Sequence, residues 1–503
     1  MGLVRRDRGR RSVGGVRDAQ LRQGSAEPAR TGGARGRTHP LPRRAHGRTV
    51  IAEPQLGQTA CEQLADAAFD AVNEAAVDVE VVIHHNVEGL TRFANSQVHQ
   101  NVARDDLAAA VRVVLDGGRS GVVNVHTDGP GVVARAARDA MALARMAPPD
   151  PEFPGLAPAA PTVAVPVDEA TIAASPENRA GAVRDVLSEI PDEYEAAGAY
   201  RTVASELAVF TSAGQRIYAP GSVATLTMVV MGPTSSGYAE GGERAMADID
   251  AAGTAASAVA KAAAGHDPVD VPAGSWPVVL EPPAVATMVQ FLAYLGFGGR
   301  DYLEGRSFTA GHLGERCVDP RLTVVDDALS PLGTGLPFDY EGTPKQRVEL
   351  IRDGAAVGIV HDRHSAAKAG TSSTGHGLPA PNTHGPLSMN PALLAGDGGA
   401  FDDVIGGCER GLLVTRFHYT NVVHPKETSI TGMTRDGTFL VEDGRISAAV
   451  KNLRFTQSIL AALEHVEAIS SQTAYATEIF EEGGHFPSLR LPTFTFSGAT
   501  SFG

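Results

Sequence analysis

Residues 428–450 read TSITGMTRDGTFLVEDGRISAAV, and their two Asp-Gly pairs set the character of the C-terminal half. Asp-Gly favours two-residue hairpin turns, because both central residues must take positive φ. The stretch therefore predicts successive hairpins turning at Asp436-Gly437 and Asp443-Gly444. Outward from it, the chain from Trp276 onward is β-like with glycine punctuation. One stretch breaks that pattern: 286–299, ATMVQFLAYLGFGG. Here Val285, Met288, Val289, Leu292 and Leu295 recur at three and four, which predicts a helix with one buried face. The Gly296-Phe297-Gly298-Gly299 run stops it. The helix carries no imidazole, thiol or carboxyl group.

Upstream the pattern changes. Thr59 and Glu62 form a capping-box signature ahead of a helical run through Cys61, Leu64, Ala68, Ala71 and Ala75. DVEVVI alternates as a half-buried strand, and TRFANSQVHQN, LAAAVRVVL and SGVVNVH are further strand candidates. A helix over Gly131–Met146 completes an N-terminal α+β domain at 50–146. Prolines crowd 147–177, which reads as a linker or an extended crossing segment. A middle α/β segment, 178–272, restarts with a helix capped by Ser175 and opened by Pro176. It continues as strands turning at Ser212-Ala213-Gly214 and an Ala-rich helix over Ile249–Ala264. The fold class is α+β, a mixed-sheet N-terminal domain followed by a β-rich C-terminal domain at 273–503.

The 503 residues carry a formal charge of -15, unevenly spread. Residues 1–49 hold thirteen arginines against three acids, a surplus of ten, so the rest carries a net charge of about -25. That acidic body argues against a nucleic-acid partner. The Arg-rich start reads as a disordered tail, an arm or transit peptide, or a mis-called start with translation beginning near Val50. No run of about 18 apolar residues predicts a membrane span. Three scattered cysteines without a C-x-x-C pair fit a reducing cytoplasm.

Several groups invite a chemical reading. His361, His364, His376 and His384 fall within one small-residue, Pro-rich stretch, so they are either metal ligands or solvated loop histidines. His84 and His85 are adjacent on a strand and face opposite sides. Asp326-Asp327 and Asp339/Glu341 either do acid–base work or cap turns. Cys317 and Cys408 read as nucleophiles or as small buried thiols. HExxH, HExxxH, GxSxG and GxxxxGK[ST] are all missing from the sequence.

Longer stretches together carry a resemblance. TRFANSQVHQN (91–101), PVVLEPPAVATMV (277–289), EGRSFTAGHLGERCVDPRLTVVDD (304–327), PFDYEGTPKQRVELIRDG (337–354), STGHG (373–377), GLLVTRFHYTNVVHPKETSITGMTRDGTFLVEDG (411–444) and NLRFTQSIL (452–460) resemble the TldD/PmbA metallopeptidase family. In that family a TldD-type chain carries HExxxH on a helix and a later zinc-binding Cys. The PmbA-type chain, also called TldE, keeps the fold without those ligands. The resemblance places the motif positions at Gln290, Phe291 and Leu295 here, so it implies a TldE-like chain with no cofactor of its own. It further implies a heterodimer with an HExxxH-bearing, zinc-holding partner that cleaves unfolded or small peptides. Cleft or interface residues are expected around Arg306-Ser307, Glu341-Gly342 and Thr415 to Asn421. Two alternatives stand beside it: a metallopeptidase acting alone through His361–His384, and a peptide-binding, assembly or gyrase-modulator-type protein without peptidase activity.

Overall fold

The computed structural model describes residues 55–74, 77–478 and 483–499, so the readings of residues 1–49 lie outside the described residues. The first half contains α1 (Gln58–Ala71), β1 (Asp78–Ala94), β2 (Gln97–Leu115), β3 (Arg119–His126) and α2 (Pro130–Met146). It continues with the short α3 (Glu169–Ile172), α4 (Pro176–Ser188), β4 (Glu195–Thr211), β5 (Arg216–Met231), β6 (Ser236–Glu243) and α5 (Ala251–Ala264). All six strands form one antiparallel sheet in the order β3-β2-β1-β4-β5-β6. The segments expected as an N-terminal domain and a separate middle segment thus share a sheet, joined by β1 pairing β4 from Glu80↔Thr211 to Phe93↔Gly198. Strand pairing across about 120 residues leaves no mark on local periodicity.

Alternation along the strands sends their two faces to different partners. Val81, Ile83, Val111 and Phe210 pack with α1 and α2. Tyr200, Leu226 and Met228 pack on the same face with α4 and α5. The opposite face, with Val82, Leu207, Val209 and Ile217, packs against Phe338 of the C-terminal half.

Three local expectations change. The stretch 91–101 is not one strand: Asn95 and Ser96, at φ 50° and 55°, turn β1 into β2 as a hairpin. The Thr59/Glu62 capping box does not form, because α1 begins at Gln58 behind Gly57. The backbone N–H groups of Leu56 and Gly57 instead donate to the distant Glu206 carboxylate at 2.7 and 2.8 Å. Ser175, by contrast, accepts from Asn178 N and makes a full capping box. The Pro-rich stretch after α2 crosses the sheet: Leu156 and Ala157 are buried, and Thr211 Oγ1 donates to Ala157 O at 2.7 Å.

The second half holds β7 (Gly274–Leu280), α6 (Pro282–Gly296), α7 (Gly299–Leu303), β8 (Val324–Asp326), β9 (Val348–Arg352), β10 (Ala355–Ala356), α8 (Arg363–Ala369) and β11 (Pro391–Leu393). These are followed by β12 (Arg410–His424), β13 (Ser429–Glu442), β14 (Arg445–Ala449), β15 (Leu453–Ser458), β16 (Ala468–Ala476) and β17 (Gly484–Ala499). Strands β8–β11 make a small sheet in the order β10-β9-β8-β11. The larger sheet runs β12-β7-β17-β15-β13-β14, and β12 also pairs β13, so five strands close on themselves. Phe417, Phe455, Phe494 and Phe496 stack in its core at centroid separations of 4.5–5.5 Å.

Only one of the two Asp-Gly pairs makes a hairpin. Asp443 and Gly444, at φ 49° and 72°, join β13 to β14. Asp436-Gly437 lies inside unbroken β13 as a bulge, where the β12 register shifts between Val414 and Arg416. A bulge and a primed turn both accept positive φ, so the dipeptide alone does not distinguish them. Ion pairing with Arg416 and a 2.8 Å hydrogen bond from Ser236 Oγ hold Asp436 in place. The helix α6 also departs from its reading: 12 of its 15 residues are buried, on nearly all sides rather than one.

Candidate functional site

Elements of both halves converge on α6. It starts behind Glu281, whose carboxylate binds Lys261 Nζ of α5 at 2.6 Å and accepts from Thr415 Oγ1 of β12 at 3.1 Å. It ends where Thr309 Oγ1 donates to Gly296 O at 2.6 Å, with Ser307 Oγ 2.8 Å from Thr309 Oγ1. Gln290, Phe291 and Leu295 lie in the buried length between these ends. An amide, a phenyl ring and an isobutyl group offer no metal ligand of the kind zinc takes. The helix does not fit a zinc ion, and its side chains do packing work.

The residues expected at a cleft or interface are spread over three places. Ser307 is buried at the end of α6, while Arg306 pairs in solvent with Asp301 at 2.6 Å and Glu304 at 2.7 Å. Thr415 is buried at the start of α6, and Asn421 lies exposed farther along β12. Among the described residues, β12 beyond Val414 pairs only with β13, leaving an open strand edge with Tyr419 73% exposed. Glu341 and Gly342 sit at the junction of the two halves, where Gln215 Nε2 of the N-terminal sheet donates to Gly342 O at 2.6 Å.

That junction holds a groove of about 720 Å³. Its wall on the sheet side presents Glu80, only 2% exposed and 3.3 Å from Arg112. Burial pushes the Glu80 carboxyl up, against the pull of Arg112 and Arg363. Across the groove Glu341 accepts from Arg363 N at 2.9 Å. Burial first, and then the neighbouring Asp339 charge, raise the Glu341 carboxyl well above its ordinary range. A carboxyl held near neutral proton affinity in an open groove is able to donate or accept a proton. The groove was not legible in the sequence, since Glu80 and Arg112 on one wall and Glu341 on the other are more than 200 residues apart.

The four histidines do not converge. His376 is fully buried, with Nε2 2.9 Å from Asp326 Oδ1 and Nδ1 2.9 Å from Thr374 Oγ1. Burial lowers its proton affinity despite Asp326, so the neutral ring donates from Nε2. His361 Nδ1 lies 3.1 Å from Ser365 Oγ, and burial lowers its affinity too. His384 is exposed on a loop. Among the described residues, the one cluster of three ligand atoms is Asp150, Glu152 and His364, whose two carboxylates are exposed. Asp339 caps turns, accepting from the backbone N–H groups of Glu341, Thr343 and Gly377. The thiols of Cys61, Cys317 and Cys408 are all pushed up, mainly by burial, which leaves them poor nucleophiles. Among the described residues, no helix is long and apolar enough to cross a membrane.

Comparison with known proteins fits this architecture. Family models described as the PmbA/TldA metallopeptidase C-terminal domain and domain 1 match residues 273–498 and 79–144. The chain belongs to the TldD/PmbA metallopeptidase family. It is 28% identical over 229 residues to the metalloprotease TldD homolog of Haemophilus influenzae, a match covering 45% of this chain and 47% of that protein. Over 159 residues it is also 28% identical to the metalloprotease PmbA of Escherichia coli O157:H7, covering 31% and 32% of the two chains. These matches span less than half the length of either relative. The crystal structure of TldE from Thermococcus kodakarensis shares the fold, with a TM-score of 0.78 over 87% of this chain and 100% of that one at 20% identity.

Proposed function

We propose that the chain is a TldE/PmbA-like, non-catalytic subunit of a two-chain metallopeptidase that hydrolyses unfolded or small peptides. Its partner is a TldD-like chain bearing HExxxH and zinc. The observation that carries the reading is the side-chain content of α6, the helix that the family resemblance aligns with the zinc helix: it offers no imidazole, thiol or carboxyl group along its length. Hydrolysis by a zinc-bound water needs imidazole, thiolate or carboxylate ligands and a general base. The resemblance puts Gln290, Phe291 and Leu295 at those positions. What this chain contributes is wall and edge: the open side of β12 beyond Val414 presents backbone groups to an extended peptide or to the partner.

The test measures zinc content and cleavage of an unstructured peptide, for this chain alone and mixed with an HExxxH-bearing relative. The reading expects no bound zinc and no cleavage alone, with chelator-sensitive cleavage in the mixture. Stoichiometric zinc and cleavage by this chain alone would overturn it and favour the histidine-loop alternative. A mixture that forms no complex and stays inactive favours the peptide-binding alternative.

A further inference from the structure

A second, smaller cavity of about 230 Å³ lies between the N-terminal sheet and the C-terminal segments around 334–345 and 376–390. We propose that it binds a small carboxylate with an apolar tail, a reading independent of the subunit role above. Its sheet wall is one face of β1, β4 and β5. His84 and Asn86 stand two apart on β1, and Ser205 is the direct cross-strand partner of Asn86. Val223 continues that face on β5, and Phe338 covers it from the other side.

Hydrogen-bond supply and demand decide the ligand. The acidic groups around the cavity have their demand met. Asp339 accepts from three backbone N–H groups, and Asp326 accepts from His376, Ser388 Oγ and Asn390 N. Four of the donors are not used up. Lys345 Nζ makes one long hydrogen bond, 3.4 Å to Asn390 Oδ1, and no ion pair within 4 Å among the described residues, its charge acting on Asp326 and Asp339 only at longer range. The side chains of His84, Asn86 and Ser205 have no hydrogen-bond partner among the described residues; the His84 ring makes an edge contact with the Tyr340 ring at 6.1 Å. A site with a half-buried ammonium and neutral donors beside filled carboxylates favours a ligand that brings a charged acceptor. The cavity is smaller than the roughly 300–1,000 Å³ of drug-sized sites, which limits the ligand to a single ring or a short branched chain.

Calorimetric titration of the full chain with 3-phenylpropionate, and with its neutral amide, tests the proposal. One saturable site per chain is expected for the acid, with the amide about tenfold or more weaker, the loss of a charge-assisted hydrogen bond. Lys345→Met should weaken the acid by a similar factor in a chain that still melts cooperatively. Val223→Phe fills the floor without touching Lys345 and should abolish binding in a chain that still melts cooperatively. Equal affinity for acid and amide, binding unchanged in either variant, or no saturable binding by about 10 mM would each overturn the assignment.

Discussion

Glu206 and His85 occupy neighbouring strands and hold the start of α1. The buried Glu206 carboxylate accepts from Leu56 N, Gly57 N and Tyr218 OH, and lies 2.7 Å from His85 Nδ1. His85 Nε2 reaches Asp105 at 2.9 Å. Burial works against a charged His85, but its bonds to Glu206 and Asp105 outweigh that and raise its proton affinity. A histidine whose folded affinity is raised adds stability that is full below about pH 6.5 and is lost as pH rises through the folded value. Urea titrations at pH 6 and pH 9 should therefore show the wild type losing its advantage over His85→Gln at the higher pH. A constant gap between the two proteins would remove His85 from the account. Sequence reading separated His84 from His85 by strand alternation, and the structure uses both sides as that implies. It could not supply Glu206, which reaches His85 only through the pairing of β1 with β4.

At the scale of elements, two helix-on-sheet contacts depend on a missing side chain. A methyl placed on Gly121 of β3 would lie 2.1 Å from Ala140 O of α2, and one on Gly237 of β6 would lie 2.1 Å from Ala258 O of α5. Backbone cannot yield as a side-chain tip can, so the helix must move outward and loosen the small-residue packing of Ala140 or Ala258. Gly121→Ala and Gly237→Ala should each cost about 1–3 kcal/mol, read as a lower denaturation midpoint. Unchanged midpoints would mean that the helices have slack to shift. The Asp-Gly pairs teach the same lesson from the side of sequence. Both demanded positive φ and both have it, yet one is a turn and the other a bulge, chosen by Arg416 and Ser236 from other strands.

Across the whole molecule, the first half is built twice. A helix, three antiparallel strands and a covering helix run from α1 to α2 and again from α4 to α5, and the sheet order is symmetric about the β1–β4 seam. The matching contacts of Gly121 and Gly237 fall at equivalent places in the two copies. Neither copy is expected to stand alone, since each leaves a long strand open at the seam and α1 loses Glu206. A fragment of residues 55–177 should show no cooperative thermal transition by circular dichroism; a sharp melt would show that the seam is not needed. The groove at the junction and the carboxylate pocket both exist only because this doubled sheet turns its second face to residues near 340.

Local chemistry by itself determined much of this structure. Alternation placed strands, Ser175 capped its helix, glycines stopped α6, and the absence of imidazole, thiol and carboxyl from α6 could be read directly. These are short-range properties, fixed by neighbours within one turn or one strand. Tertiary structure alone decided that the 50–146 and 178–272 segments share one sheet, that α6 is buried on nearly every side, and that His361 and His376 turn inward to Ser365 and Asp326 while His384 stays exposed. Each of those outcomes depends on contacts between residues far apart in the chain, where periodicity and propensity carry no signal and the surfaces left to be covered decide the pairing.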